Sequence, residues 1–247
     1  MNYREFDFPI REKQPDVRYL IAACHRTGST WLALKLWNRG GAGAPWEYFN
    51  EIYNLGPLAT RFDAKTAREY LTALYRHRVS ENGVFGVKVL APQFPLLQMC
   101  MQEAGEDLST FRMIFLDRRD KIRQAISYAR AVQTQHWSSL TRERRAPKYD
   151  PILLKKSYVM LQKHTEFWQQ VFDALGIAPL VVIYEDVEKD DESELRRIED
   201  FLGITPSMQE VGVPCSTRQR DIITEEWADR FWSEEHVWLS IHQCSTL

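Results

Sequence analysis

Residues 19–37 read YLIAACHRTGSTWLALKLW, an apolar run, a polar loop around Gly28 and a second apolar run with helical spacing. The first run predicts a buried β-strand over Tyr19–Ala23, and the second predicts a helix over Ser29–Arg39. Backbone N–H groups at the start of such a helix point toward an approaching anion, and a glycine lets that anion come close. The stretch therefore predicts a strand, a phosphate-binding loop and a helix. A plain turn capped by its own hydroxyl groups stays open as the alternative.

Three further apolar runs predict strands, and helical patterns lie between and after them. The strands are expected over Val84–Val89, Phe111–Leu116 and Leu180–Tyr184, and helices over Asp63–Val79, Asp120–Trp137, Ile152–Leu175 and Ser193–Leu202. Strands that alternate with helices form parallel sheets covered on both faces. We therefore predict an α/β protein in which a central parallel β-sheet is flanked by helices.

The composition is that of an ordinary globular protein. Of the 247 residues, 44% are hydrophobic and 27% are charged, and the formal net charge is -2. An α/β chain of this length often forms one unit, so we expect a single domain over residues 1–247. The aromatic content of 12% excludes disordered and collagen-like classes, because so much ring area has to be buried. The near-neutral charge argues against a dedicated nucleic-acid-binding protein.

Cysteine spacing and hydropathy bear on metals, redox compartment and membranes. The four cysteines are far apart in sequence and lack the spacing of a zinc site: Cys24, Cys100, Cys215 and Cys244. Scattered thiols fit a reducing cytosol. The first 18 residues hold no apolar run, and no run approaches the roughly 20 residues that span a bilayer. We expect a cytoplasmic protein with no metal, no disulfide and no membrane span.

A second strand, loop and helix pattern carries a candidate anion site. Residues 111–134 read FRMIFLDRRDKIRQAISYARAVQT. Arg118 and Ser127 would point to opposite sides if both were helical, because nine residues at about 100° each separate them. They meet on one ligand if Arg118 lies in the loop before the helix, which Asp120 is suited to cap. A surface helix with a solvated arginine pair stays open as the equal alternative.

Together these segments resemble the sulfotransferase superfamily that uses 3'-phosphoadenosine 5'-phosphosulfate (PAPS). CHRTGSTW at 24–31 is similar to that family's 5'-phosphosulfate loop, and DRRDKIRQAIS at 117–127 is similar to its 3'-phosphate element. VVIYEDVEKDDESELRRIEDFLGI at 181–204 resembles a further strand and helix of the family. The resemblance covers roughly residues 17–232, which we take as the core of the predicted domain, and it implies the P-loop-like fold of that family.

Four further matches narrow the resemblance to the bacterial carbohydrate branch, that of trehalose 2-sulfotransferases and NodH-type enzymes. They are Arg26 in place of the loop lysine, GAPWEYF at 43–49, GVFGVK at 83–88 and QAISYARAVQT at 124–134. A late RQ element before an EW helix is a fifth, at Arg218, Gln219, Glu226 and Trp227. The resemblance implies transfer of a sulfuryl group from PAPS to a hydroxyl of a carbohydrate or glycolipid, by in-line displacement and without a metal.

The resemblance also implies catalytic roles for three residues. Glu47, in PWEYF, corresponds to the family's general base, and we expect its aromatic neighbours to desolvate it and raise its basicity toward neutral pH. Glu51 is its competitor. Arg26 is expected to stabilise the leaving oxygen, and Lys88 is a second candidate for that charge. A lysine in an apolar strand needs a partner or reaches solvent from the strand end, and both alternatives stay open.

Donor-binding roles follow from the same resemblance. The 5'-phosphosulfate cradle is expected to comprise His25, Arg26, Thr27, Gly28, Ser29 and Thr30. For His25, packing or capping of the helix is the alternative. Arg118 and Ser127 are expected to hold the 3'-phosphate, although Arg119 stands where the family commonly has proline and competes with Arg118. Arg218 and Gln219 are expected to close over the nucleotide, with an exposed loop as the alternative.

The acceptor side is less defined. Two interpretations are open for four aromatic residues: they form a platform for a sugar, or they pack in the core. These residues are Trp46, Tyr48, Phe49 and Trp137. GGAGAP at 40–45 is interpreted as a flexible loop and a hinge for acceptor entry, and the basic segment 138–150 matches no motif. Trehalose, another glycan, a glycolipid headgroup and a small alcohol stay open as acceptors. A homodimer also stays open, since the resembled branch includes dimers.

Two other functions compete with sulfuryl transfer. A P-loop kinase is the first, because FRMIFLD resembles a Walker B strand that ends at Asp117, but the lysine of its phosphate loop is missing. The second is a module without catalysis that binds PAPS or its product, adenosine 3',5'-bisphosphate (PAP). The presence of Glu47 and Arg26 argues against that module.

Overall fold

The computed structural model describes residues 7–137, 145–205, 211–213 and 222–243. The described residues form two compact units. The first draws on Met1–Arg119 and His164–Cys215, and the second on Asp120–Lys163 and Ser216–Leu247. The single domain expected over 1–247 stays a prediction, and each unit is described by itself.

A four-stranded parallel sheet is the centre of the first unit. Its strands lie side by side in the order β2-β1-β3-β4: β1 is Val17–Ala23, β2 is Val84–Leu90, β3 is Arg112–Asp117 and β4 is Leu180–Ile183. All seven residues of β2 are buried, as expected of a strand covered on both faces. The predicted α/β class with a central parallel sheet is confirmed.

Helices alternate with the strands along the chain. In the first unit these are α1 (Ser29–Asn38), a π-helix (Glu51–Leu55), α2 (Gly56–Arg61), α3 (Ala67–His77), α4 (Phe94–Ala104), α7 (Tyr184–Lys189) and α8 (Asp191–Leu202). A short 3-10 turn, Ala91–Gln93, links β2 to α4. The predicted strand over Leu180–Tyr184 is one residue too long, because Tyr184 already begins α7.

The second unit is helical in its described residues. It contains α5 (Lys121–Thr134), the first part of α6 (Pro151–Leu175) and α9 (Ile222–Gln243). Asp120 caps α5, accepting a hydrogen bond from the backbone of Arg123 at 2.9 Å. The Arg123 side chain pairs with Asp120 and with Glu225 of α9, which ties α5 to α9. The start of α5 is therefore fixed at the residue that the sequence predicts as its cap.

The segment GGAGAP at 40–45 is a packed part of the core, so its interpretation as a flexible hinge is wrong. The carbonyl of Ala42 accepts a hydrogen bond from the Tyr19 hydroxyl at 2.8 Å, and the Gly43 N–H donates to Ser80. Gly43 has φ +68°, and a Cβ there would lie 2.6 Å from the Val84 carbonyl oxygen. Glycine is required at this position by close approach as well as by conformation.

No helix within the described ranges combines the length and apolar character needed to cross a membrane. The same ranges contain no group of three or more His, Cys, Asp or Glu side chains arranged to hold a metal ion.

Candidate active site

The loop between β1 and α1 has the backbone geometry of an anion-binding turn. Arg26 and Gly28 both adopt the left-handed conformation, with φ of 64° and 78°. The Thr27 hydroxyl fixes the turn by donating to the Cys24 carbonyl at 2.9 Å. Gly28 is the N-cap of α1, and a glycine has no side chain that could accept a hydrogen bond from the first turn. The N–H groups of that turn therefore point outward from the start of the helix without a side-chain cap. This arrangement fits a phosphate or sulfate group.

Close packing explains the glycine at position 28. A Cβ on Gly28 would lie 2.6 Å from Cδ2 of Tyr184, the first residue of α7. A side chain there would push the loop away from the end of β4. The ring of Tyr184 therefore packs directly against the loop at Gly28, a contact that the sequence alone does not predict.

A buried ion pair lies beside this loop. The Trp46 carbonyl accepts a hydrogen bond from the Lys88 N–H at 3.0 Å, which aligns the segment around Trp46 with the outer edge of β2. Glu47 is thereby placed against Lys88, with Nζ 2.6 Å from Glu47 Oε1. The Lys88 ammonium also donates to Thr30 Oγ1 at 2.9 Å, and its side chain is 0% exposed. Of the two alternatives for Lys88, the partnered one is right.

The environment of Glu47 favours its charged form. Oε2 accepts hydrogen bonds from Asn50 Nδ2 at 2.8 Å and from Gln93 Nε2 at 2.7 Å. Burial raises the pKa of Glu47, but the charge of Lys88 and the hydrogen bonds from Lys88, Asn50 and Gln93 outweigh it and lower the pKa to about 2. The expectation that aromatic neighbours raise its basicity is therefore wrong for this state of the protein. Glu51, its competitor, is exposed at the start of the π-helix.

The two consecutive arginines after β3 face different surroundings. Arg118 donates from Nη1 to the Arg26 carbonyl at 3.2 Å, and its guanidinium lies 4.8 Å from the centre of the Tyr184 ring. Arg119 is 61% exposed and donates to Asp186 at 2.8 Å. Arg118 is therefore the arginine that contacts the loop.

The histidine of the loop is neutral near pH 7. Burial, followed by the nearby His164, lowers the pKa of His25 to about 4. The two imidazole rings lie 5.9 Å apart. His25 can therefore donate one hydrogen bond to an anion but brings no positive charge to it.

Most of the predicted aromatic platform is core. Tyr48 and Phe49 are each 1% exposed; the Tyr48 hydroxyl donates to the Ala44 carbonyl, and Phe49 packs edge-on against Tyr70. The Trp46 ring lies over the Lys88 ammonium at 5.2 Å. A sugar platform that includes Tyr48 and Phe49 is thus excluded by their burial. Trp137 is partly exposed in the second unit, beside Tyr128.

The structure brings some of the predicted site residues together. One cluster in the first unit contains Thr30, Glu47 and Lys88, and Arg118 contacts the loop that leads to it. Ser127 lies on α5 of the second unit. Arg218 and Gln219 fall outside the described residues, as does most of the basic segment 138–150. Their expected roles stay predictions.

Sequence reasoning missed two members of the cluster, Asn50 and Gln93. Asn50 stands three residues after Glu47, and Gln93 stands three residues after the end of β2. A polar residue at a strand's carboxyl end was the available signal for Gln93, since ligands of parallel sheets lie at that edge.

Comparison with known proteins identifies one matching family model and several similar proteins. Residues 18–234 match the family model described as Stf0 sulphotransferase. Trehalose 2-sulfotransferase of Mycolicibacterium smegmatis is 28% identical over 255 residues, covering 86% of this chain and 93% of that protein. Trehalose 2-sulfotransferase of Mycobacterium tuberculosis is 26% identical, covering 87% and 94%. The solved sulfotransferase domain of the Synechococcus PCC 7002 olefin synthase aligns with a TM-score of 0.47 at 14% identity, covering 91% and 98%.

Proposed function

The chain belongs to the Stf0 sulphotransferase family, and on that basis we propose that it transfers a sulfuryl group from PAPS to a hydroxyl of a carbohydrate or glycolipid, with Glu47 as general base. The observation that carries this proposal is the position of Lys88. Its ammonium contacts Glu47 Oε1 at 2.6 Å and Thr30 Oγ1 at 2.9 Å, so one buried cation links a carboxylate to the first turn of α1.

The donor is proposed to bind at the loop before α1. The outward N–H groups of the first turn and the side chain of Arg26 suit the 5'-phosphosulfate, since both stabilise negative charge. Arg118, which contacts the loop through the Arg26 carbonyl, is proposed to bind the 3'-phosphate. PAPS supplies the sulfuryl group as co-substrate, and the remaining chemistry belongs to the protein.

The transfer needs a base on one side of the sulfur and a positive charge on the other. The acceptor oxygen bonds to sulfur, the bond from sulfur to the 5'-phosphate oxygen breaks, the acceptor proton goes to Glu47, and the leaving oxygen keeps the electron pair. Arg26 of the loop is the first candidate to neutralise that charge, and Lys88, which contacts the first turn of α1, is the second. As Lys88 turns to the developing charge, its hold on Glu47 weakens and the carboxylate becomes more basic.

Trehalose is the first acceptor to test, because both curated relatives are named for it. The experiment incubates the protein with PAPS and a panel of trehalose, other glycans, glycolipid headgroups and small alcohols, and mass spectrometry detects the gain of one sulfonate. We expect transfer by the wild type and loss of transfer in Glu47→Gln. Near-normal turnover in Glu47→Gln would refute the role of Glu47.

Thermal stabilisation separates the alternatives. We expect PAP to stabilise the protein without magnesium, since a ligand that binds the folded state raises its stability. Stabilisation by ATP with magnesium alone would favour the kinase. If PAP stabilises the protein but no acceptor in the panel is sulfated, a binding module is favoured.

A further inference from the structure

Two amide side chains hold the same oxygen of Glu47 in the same way. The Oδ1 of Asn50 accepts a hydrogen bond from the Tyr53 N–H at 3.2 Å, and its Nδ2 donates to Glu47 Oε2 at 2.8 Å. The Oε1 of Gln93 accepts from the Leu90 N–H at 3.0 Å, and its Nε2 donates to Glu47 Oε2 at 2.7 Å. Because each amide oxygen faces a backbone donor, each amide must present its NH₂ group to Glu47.

This double contact treats the two oxygens of the carboxylate differently. An ionised carboxylate has about four lone-pair sites, two on each oxygen. The two amides occupy both sites of Glu47 Oε2. Oε1 is in contact with Lys88, which occupies one site, and its second site is the one suited to accept a proton.

The amides are anchored in separate elements, which makes the contact rigid. Asn50 is the N-cap of the π-helix, and Gln93 ends the 3-10 turn after β2. Asn54 of the π-helix adds a third anchor by donating to the Glu47 carbonyl at 3.0 Å. Backbone and carboxylate of Glu47 are therefore fixed independently. Such preorganisation raises the rate of a reaction that needs one geometry.

We propose that Asn50 and Gln93 are positioning residues for sulfuryl transfer, which fix the carboxylate plane of Glu47 through Oε2 and leave Oε1 as the atom that takes the acceptor proton. This inference rests on the proposed role of Glu47 as the base.

Charged and titratable neighbours of Glu47 come from two elements. Lys88 approaches from β2, and His25 interacts electrostatically from the loop before α1. Asn50 and Gln93 are neutral donors that favour the anion. Replacing either NH₂ by a carboxylate oxygen therefore raises the pKa of Glu47, because two carboxylates in contact cannot both ionise readily.

The variants Gln93→Glu and Asn50→Asp test the proposal with little change in shape. Each keeps the oxygen that accepts from the backbone and replaces the donating NH₂ with oxygen. Gln169→Glu is the matched control, because Gln169 is exposed on α6 and also donates to a carboxylate, that of Asp173 at 3.0 Å. We expect both site variants to lower kcat about 10- to 100-fold, with little change in the KM for PAPS. The control should keep wild-type kinetics.

A measurement on the resting protein makes the test independent of the acceptor. In protein labelled with ¹³C at glutamate carboxyl groups, the Glu47 signal is identified by its loss in Glu47→Gln. We expect its titration to move to higher pH in Gln93→Glu and in Asn50→Asp, and to stay unchanged in Gln169→Glu. Wild-type kcat in both site variants, or an unchanged Glu47 titration in both, would overturn the positioning role. Wild-type turnover by Glu47→Gln would instead overturn the base assignment, whatever the amide variants do.

Discussion

Lys88→Met removes the positive charge from the buried pair and should destabilise the protein strongly at neutral pH. In the wild type the pKa of Glu47 falls from 4.5 to about 2, which corresponds to about 3 kcal/mol of stabilisation when the carboxylate is ionised. The variant leaves a buried anion whose partner at 2.6 Å is gone. Breaking such a pair on one side costs about 3 to 5 kcal/mol. We expect a loss near the lower value, because Asn50 and Gln93 still donate to Glu47.

The loss of stability in Lys88→Met should depend on pH, because Glu47 titrates differently in the two proteins. In the wild type the contribution of Glu47 is fully present above its unfolded pKa of 4.5 and is lost as the pH falls toward 2. Without Lys88, burial raises the pKa of Glu47, so the carboxyl takes up a proton on acidification and its burial becomes less costly. The difference in stability between wild type and Lys88→Met should therefore narrow from pH 7 to pH 4.

Urea unfolding at pH 7 and pH 4 measures this difference. Lys35→Met is the control, since the pair of Lys35 with Asp191 at 2.9 Å is partly exposed and worth about 1 kcal/mol or less. The double variant Lys88→Met/Glu47→Gln should recover part of the loss, because it leaves no buried charge at this pair. A loss in Lys88→Met below about 1 kcal/mol, or one that does not depend on pH, would refute the reasoning.

Three further predictions concern the loop and its neighbours. Gly28→Ala should weaken PAP binding, measured by calorimetry, about tenfold or more, because the added Cβ would meet Tyr184. Gly176→Ala is the control and should bind PAP normally, because Gly176 also has a positive φ but has open space around it. Arg118→Met should lower PAP affinity about 10- to 100-fold, while the outward-facing Arg119→Met should change it about twofold or less; equal losses would contradict the assignment. Glu51→Gln should keep turnover within about twofold of wild type in the sulfate-transfer assay, because Glu51 is exposed, and a large loss would favour it as the base.

The strands and the loop could be predicted because their signals are local. Strands buried on both faces are continuous apolar runs, so β1 and β2 are visible in the sequence. Lys88 stood out as the charged residue within β2. The prediction missed α4, although its proline lies in the first turn, where proline is tolerated.

Properties set by distant residues could not be predicted. The pKa of Glu47 depends on Lys88 and Gln93, which are more than 40 residues away, whereas its aromatic sequence neighbours alone suggested the opposite shift. The glycines at 40–45 suggested flexibility, but at Gly43 glycine serves close packing against Val84. Composition describes what a segment permits, and tertiary contacts decide which of those options is used.

The left-handed backbone at Arg26 places two opposing demands on a single position. Glycine would adopt its φ of 64° freely, whereas any side chain there costs about 1 kcal/mol. In the proposed donor site, the binding energy that the Arg26 guanidinium contributes has to exceed this conformational cost. Arg26→Gly should therefore fold at least as well as the wild type and, if the proposed donor site is right, bind PAP more weakly. Selection for heat resistance alone would favour that glycine, and selection for turnover would remove it.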